Sequence, residues 1–255
     1  VSILNTNVLK QSDFFTGAFP AEYGNGYSGV FDLKMRNGNS QRFEFMGQLG
    51  FNGFEFGAEG PIFKETRSSF MVNYRYSMLG LVDHLLWVDG LPFYQDISYK
   101  VNFPLQKGNL SIFGFGGKSH ISFDFNEDDD SNTMNWTGKS INGSKTFFSG
   151  IKYVRFLSDR TRLENSFAYS TRRPFENEEF MIDDVLQEKK FGFEDIESKY
   201  ILSTKLISKL NSRNTFYSGI RIENASVSSE NYYHYVESDA IISEPYEHLS
   251  ADNLY

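Results

Sequence analysis

From about residue 40 onward the chain alternates apolar and polar side chains with a period of two, in segments joined by alternately short and long connections. Phe70, Val72, Tyr74, Tyr76 and Met78 share one parity, and Asn73, Arg75 and Ser77 take the other. Ile97, Tyr99, Val101 and Phe103 stand against Asp96, Ser98, Lys100 and Asn102. Leu163, Phe167 and Tyr169 oppose Arg162, Glu164, Ser166 and Arg172. Leu202, Leu206 and Leu210 oppose Ser203, Lys205 and Lys209, while Phe216, Ile220 and Ile222 oppose Thr215, Arg221 and Glu223. Successive side chains on a strand point to opposite faces, so each segment builds a sheet with one dry and one wet side. The pattern predicts about nine strands, near 41–51, 53–61, 68–79, 94–105, 109–124, 144–157, 161–173, 198–210 and 214–228. Within 109–124 Ile112 and Phe113 sit side by side, which predicts a bulge or register change near Gly114, Gly116 and Gly117.

The connections narrow the fold class further. Gln106-Lys107-Gly108, Ser158-Asp159-Arg160 and Asn211-Ser212-Arg213 are short turns, and Phe63-Lys64-Glu65-Thr66 is slightly longer. Between them the sequence places long polar loops at about 80–93, 125–143, 174–197 and from 229 to the end. In an up-and-down sheet this alternation puts every short turn on one rim and every long loop on the other. Outer-membrane barrels have that layout, and a sandwich has no reason for it. Several predicted strands run about 11–15 residues, against a mean of about 5–6 in globular proteins and about 9–11 for a tilted membrane strand. Phe63, Phe70, Phe103, Phe156, Phe216 and Tyr217 gather beside the short turns. Tyr76, Tyr94, Phe123, Phe147 and Tyr169 gather towards the long loops. Two aromatic girdles flanking a lipid band produce such a distribution, although aromatics favour strands in any setting.

Composition removes other classes. Aromatic residues make up 17%, which suits strands. With no cysteine, disulfide scaffolds, zinc ribbons and thiol nucleophiles are excluded. A formal net charge of −8 argues against a nucleic-acid partner. The longest apolar stretch, Met78–Val88, is broken by Gly80, Asp83 and His84, so no helix of membrane-spanning length is predicted. The sequence opens without a charged-then-apolar leader, so a signal peptide is expected to be absent or already removed, and both ends read as cuts, the expectation being a fragment. No P-loop, dinucleotide fingerprint or nucleophile elbow is present, so neither an enzyme nor a cofactor is expected. His84, His120, His234 and His248 are scattered without ligand spacing, and no metal site is assigned. The acidic run Asn126–Asn132 reads as a solvated loop, with a weak calcium site as its alternative. Trp87 and Trp136, with Tyr232 and Tyr233, fall in predicted outer loops as candidate ligand contacts.

Residues 1–39 have a different texture, with five glycines between Ser12 and Asn39. Gly24, Gly26 and Gly29 suit positive φ or close backbone approach. Alternation through Val30–Arg36 predicts a strand that turns at Asn37-Gly38, a favourable hairpin dipeptide. This stretch resembles the end of the plug domain of TonB-dependent outer-membrane receptors, which precedes the first barrel strand. The matching residues are Gly17, Phe19, Ala21, Glu22, Tyr23, Gly24, Ser28, Gly29, Val30, Asp32, Arg36 and Gly38. Gly50–Pro61 is similar to the family's first barrel hairpin, and Val72–Ser77 to the strand that follows.

The resemblance implies an all-β, antiparallel up-and-down transmembrane β-barrel. About nine of 22 strands would be present, spanning 40–255, preceded by the C-terminal end of a plug in 1–39. It implies a place in the outer membrane of a Gram-negative bacterium, surrounded by lipid and lipopolysaccharide. The implied function is energy-coupled uptake of a scarce or bulky nutrient: an iron chelate, haem, cobalamin, oligosaccharide or peptide. TonB would act through a plug region outside this chain, and some branches of the family add a lipoprotein partner. Arg75, Lys100, Arg162, Glu164, Arg221 and Glu223 fall on the wet parity and are candidate contacts to the plug or lumen. A passive porin or adhesin barrel is the alternative, followed by a secreted β-sandwich binding module.

Overall fold

The computed structural model describes residues 3, 5–17, 19–24, 28–51, 53–77, 79, 90, 92–128, 135–182, 185–237 and 240–254. Only the backbone is described for 64, 125–128, 135–137, 179–182, 185–191, 232–237 and 240–254. The chain is all-β. Two short strands, β1 (Asp13–Phe15) and β2 (Val30–Asp32), pair with each other. The remaining ten form one antiparallel sheet: β3 (Glu44–Gly50), β4 (Gly53–Pro61), β5 (Ser69–Ser77), β6 (Pro92–Leu105), β7 (Gly108–Asp128), β8 (Asn135–Ser158), β9 (Thr161–Ile182), β10 (Val185–Lys209), β11 (Thr215–Glu237) and β12 (Ala240–Leu254). Each strand pairs with its sequence neighbour, so the order β3 to β12 is a plain meander. No helix is long and apolar enough to cross a membrane among the described residues.

The period-two pattern and the strand register agree. Phe54, Phe56, Tyr74, Tyr76, Ile97, Tyr99 and Val101 share one face, followed by Ile112, Ile151, Phe147, Phe167, Tyr169, Tyr200, Leu202, Ile220 and Ile222. Rings meet across strands there: Phe54 and Tyr76 lie 5.6 Å apart, and Tyr169 and Tyr200 4.8 Å. The opposite face carries Glu55, Asn73, Arg75, Asp96, Ser98, Lys100, Ser111, Lys152, Glu164, Ser203, Lys205, Arg221 and Glu223.

Several expectations are corrected. The loops expected at 125–143, 174–197 and from 229 onward are largely paired strand: β7 to β11 run 21–25 residues, and β12 is a tenth strand. Polar residues occupy both faces there, so pairing leaves no alternation to read. Short turns at 106–107, 159–160 and 210–214 still share one rim. No bulge occurs at Gly114, Gly116 or Gly117, because β7 keeps unbroken register with β6 and β8. These glycines serve close approach instead. A Cβ on Gly114 would meet Phe148 O at 2.5 Å and Tyr99 Oη at 2.8 Å.

Asn37-Gly38 does not turn a hairpin either: β2 pairs with β1, and the dipeptide leads from the small sheet to the large one. Gly38 is needed because a Cβ there would sit 2.0 Å from Phe70 O. Gly24 is right-handed helical, and a Cβ there would meet nothing within 4 Å. Gly29 packs beneath the Phe14 ring, and Gly26 lies outside the described residues. Among the expected girdle residues, Tyr94, Phe123, Phe156 and Tyr217 take the polar-face parity.

Candidate functional site

The chemistry concentrates where Asn5, Asn7, Glu22, Met35 and Arg36 meet the polar face. Asn5 begins a single 3₁₀ turn, Thr6–Val8, its side chain accepting from Asn7 N at 2.8 Å. The same side chain reaches the large sheet: Asn5 Nδ2 donates to Glu55 Oε1 at 2.9 Å and to Asn73 Oδ1 at 2.5 Å. Asn7 Nδ2 and Asn73 Nδ2 each donate to Glu55 Oε1 at 2.7 Å. One carboxylate oxygen thus gathers three amide donors, two from the N-terminal segment and one from β5. Charge-assisted bonds of this kind are the stronger class.

The backbone then doubles on itself. Leu9 bridges Met35, Arg36 N donates to Val8 O at 2.9 Å, and Lys10 N donates to Lys34 O at 2.8 Å. Arg36 donates to Asn7 O through Nε at 2.8 Å and pairs with Glu59 of β4. Lys100 of β6 donates to Met35 O at 2.9 Å. Further along the sheet, Lys205 of β10 binds Glu22 at 2.5 Å, between residues 183 positions apart.

The small β1–β2 sheet sets Asp13 opposite Asp32, and Lys34 lies between them at 2.5 and 3.1 Å. Hydrogen bonds to Asp13 and then Asp32 hold the Lys34 ammonium above its ordinary pKa. Tyr23 is raised too, first by burial and then by the charges of Asp32 and Glu22. Phe14 stacks on Phe31 at 4.2 Å, and Tyr23 lies 5.7 Å from Phe15.

The motif residues therefore divide. Glu22 and Arg36 bind the large sheet, Asp32 and Tyr23 build the small one, and Gly29 admits Phe14. Gly17, Ala21 and Gly24 are exposed, and Phe19 is half-buried.

The six charges expected at the polar face also divide. Lys100 contacts the N-terminal segment. Arg75 forms a two-pronged pair with Asp96, directly opposite on β6, at 3.0 and 2.9 Å. Glu164 is shared by Arg162 at 2.8 Å and Lys152 at 2.6 Å. Glu223 is shared by Arg221 and by Lys199, the latter at 3.1 Å. Asn5, Asn7, Glu55 and Glu59 are partners that sequence reasoning missed. Only the wet-face parity of Glu55 and Glu59 could have pointed to them.

Trp87 lies outside the described residues, and Trp136, Tyr232 and Tyr233 are described in backbone only, in β8 and β11 rather than in loops. The calcium alternative at Asn126–Asn132 likewise falls beyond the described side chains. Among the described residues no group of three or more His, Asp or Glu is placed to hold a metal ion. No protein-family model matches the chain, and no curated protein matches it.

Proposed function

We propose that this chain is part of an outer-membrane, TonB-dependent receptor that imports a scarce or bulky nutrient. Residues 1–39 would be the closing part of its plug and 40–255 a portion of its barrel wall. The observation that carries this reading is an inverted partition of polarity. Phe45, Leu49 and Ile220 are 72%, 78% and 72% exposed, whereas Asn73, Asp96 and Ser98 are only 3%, 5% and 2% exposed. A water-soluble fold buries its apolar face and keeps exposed apolar patches small. A lipid-facing wall does the reverse, with a polar interior.

Strand length and the N-terminal segment support the same reading. Strands of 14–25 residues in β6 to β11 exceed the span of a hydrocarbon layer. A passive channel needs no segment docked on its polar face, and here Asn5, Asn7, Arg36 and Glu22 tie the N-terminal segment to that face of the sheet. The role follows: ligand binds from outside, and a pull on the plug breaks these polar ties to open a path. The protein makes and breaks no covalent bond.

Fractionation of the native source tests the location. The protein should remain with the outer membrane, require detergent for extraction and migrate faster unheated than boiled. Recovery from a detergent-free soluble fraction overturns the reading. Gating is tested on the cysteine-free background with Glu22→Cys and Lys205→Cys together. Oxidation should stop uptake of the imported nutrient and reduction restore it, whereas uptake indifferent to the cross-link rules out movement at this contact.

A further inference from the structure

The rim that carries the short turns is basic, although the chain as a whole is acidic at −8. Arg67 stands in the β4–β5 turn, Lys107 in β6–β7, Arg160 in β8–β9 and Arg213 in β10–β11, so no short turn is without a cation. Arg155 and Lys209 lie at the strand ends beside them, and all six are exposed. The described side chains of these turns offer only Glu65 and Asp159 in return. Among the described residues no carboxylate is within ion-pair distance of any of the six.

Arg67 is the sharpest case. Its φ of 54° is left-handed, a region that glycine enters freely and other residues only at a cost. An arginine standing where glycine fits better points to a use for the charge. The other turns hold their cations in fixed places. Arg213 N and Asn214 N both donate to Asn211 Oδ1 at 2.9 Å. Phe156 N donates to Lys107 O, and Lys209 N to Arg160 O, both at 2.8 Å, which bonds each of these turns to the following strand.

The turns also come level. β6 runs three residues past Asn102, the partner of Ser69 at the start of β5, and β8 runs three past Arg155, the partner of Gly108 at the start of β7. Three residues of about 3.3 Å against two strands of about 4.8 Å make a slope of about 45°, close to the tilt of strands in a membrane barrel. In that tilted frame successive turns share one height, roughly 14 Å apart. Phe103 and Phe216 stand on the apolar face three or four residues from Lys107 and Arg213. Rings of this kind sit at headgroup level, which puts the cations roughly 8 Å farther out, in water.

We infer that this rim is a docking surface for an extended polymer whose repeating units carry carboxylates, the chemistry of the peptides on the cell-wall glycan beneath an outer membrane. The inference rests on the membrane reading above and goes beyond it by assigning a partner on the side that the short turns face. Arg67, Arg160 and Arg213 supply planar forks for carboxylates, and Lys107 supplies a point charge. A level row of separate charges suits a partner that repeats, each contact weak alone and strong in series.

The test places the whole protein in phosphatidylcholine nanodiscs, mixes it with purified peptidoglycan sacculi and reads the bound fraction by sedimentation. The wild type should co-sediment at low salt. Lys107→Gln/Arg160→Gln/Arg213→Gln should bind about tenfold more weakly or worse, because each exposed ion pair contributes roughly twofold to fivefold. Lys118→Gln/Lys145→Gln/Arg173→Gln, which changes as many exposed cations away from the rim, should bind as the wild type does. Arg67→Gly should lose roughly twofold to fivefold in binding yet unfold no earlier than the wild type. Sacculi with amidated carboxylates should leave the protein in the supernatant. Equal binding by the two triple variants, or undiminished binding to amidated sacculi, overturns the inference. Loss of sacculus binding when phosphatidylglycerol joins the nanodisc also overturns it, by making the anion a lipid headgroup. Heat-modifiable migration of both triple variants shows that they fold. A wild-type protein that needs no detergent sinks the membrane reading itself, a separate result from a folded, nanodisc-borne protein that leaves sacculi unbound, which overturns the rim assignment alone.

Discussion

The polar face behaves differently at its two ends. Along β4 to β6 the N-terminal segment covers it, and the polar groups are buried and bonded to that segment or to each other. Along β8 to β11 the charges pair within the sheet: Lys152–Glu164–Arg162 and Lys199–Glu223–Arg221, with cationic side chains 40–51% exposed. Charges pair within the sheet in both halves, at Arg75–Asp96 and at the two triads, whereas the docking bonds crowd at β4 to β6 and reach β10 through Lys205 and Glu22. Where a covering segment supplies partners, amides and single charges suffice. Along β8 to β11, most of the sheet's charge is balanced by its own triads.

The contrast is broken most sharply at the two carboxylates that anchor each end. The Asp96 and Arg75 side chains are only 4% and 17% exposed, so Asp96→Ala should cost about 3–5 kcal/mol by removing the carboxylate from a buried two-pronged pair. Glu164→Ala frees cations already open to water and should cost about 1 kcal/mol or less. Thermal unfolding in detergent compares the two, and equal shifts would erase the distinction between covered and open halves.

Next in size is Glu55→Ala. It removes the carboxylate acceptor shared by amide donors on Asn5, Asn7 and Asn73 and should weaken docking of the N-terminal segment by about 2–3 kcal/mol. Faster tryptic cleavage after the exposed Lys10 is the expected readout, and an unchanged rate would move the anchor elsewhere. Lys205→Gln removes the contact to Glu22, whose side chain is 40% exposed, and should cost about 0.5 kcal/mol, less in high salt. A double-mutant cycle with Glu22→Gln resolves it, and zero coupling would confine docking to β4–β6.

The subtlest effect is in pH. The raised Lys34 pKa means its pairs stabilise the folded segment below the unfolded lysine value of about 10.4, and this is lost as pH climbs through the folded value. The raised Tyr23 pKa means the folded state resists tyrosinate, so stability also falls as pH rises past about 10. Both shifts loosen the β1–β2 sheet at high pH. Tyrosinate absorbance should titrate later in the wild type than the same residue does in Asp32→Asn, and coincident curves would leave burial, the larger cause, without a contribution from Asp32.

What the sequence makes legible follows from where solvent changes. Strands with one dry face, such as β5 and β6, write a period-two code and are readable within a residue or two. The outer stretches of β7 to β11 have polar residues on both sides, so pairing leaves no trace in composition and they read as loops. The polar partners show the same divide. Lys100 and Lys205 are visible by parity, but their targets, Met35 O and Glu22, depend on how a glycine-rich segment folds back. Asn5 and Asn7 carry no pattern at all, since a single 3₁₀ turn is too short to generate one.

The meander has a consequence for how the molecule is made. Every strand of the large sheet pairs with the one emitted just before it, so growth can proceed as a zipper in which each new hairpin finds a waiting edge. The bond between Glu22 and Lys205 breaks that locality, because its two ends leave the ribosome 183 residues apart. Until β10 is laid down, Glu22 has no Lys205 to meet. The contact therefore closes only once β10 is in place, tying the first-made segment to a late strand.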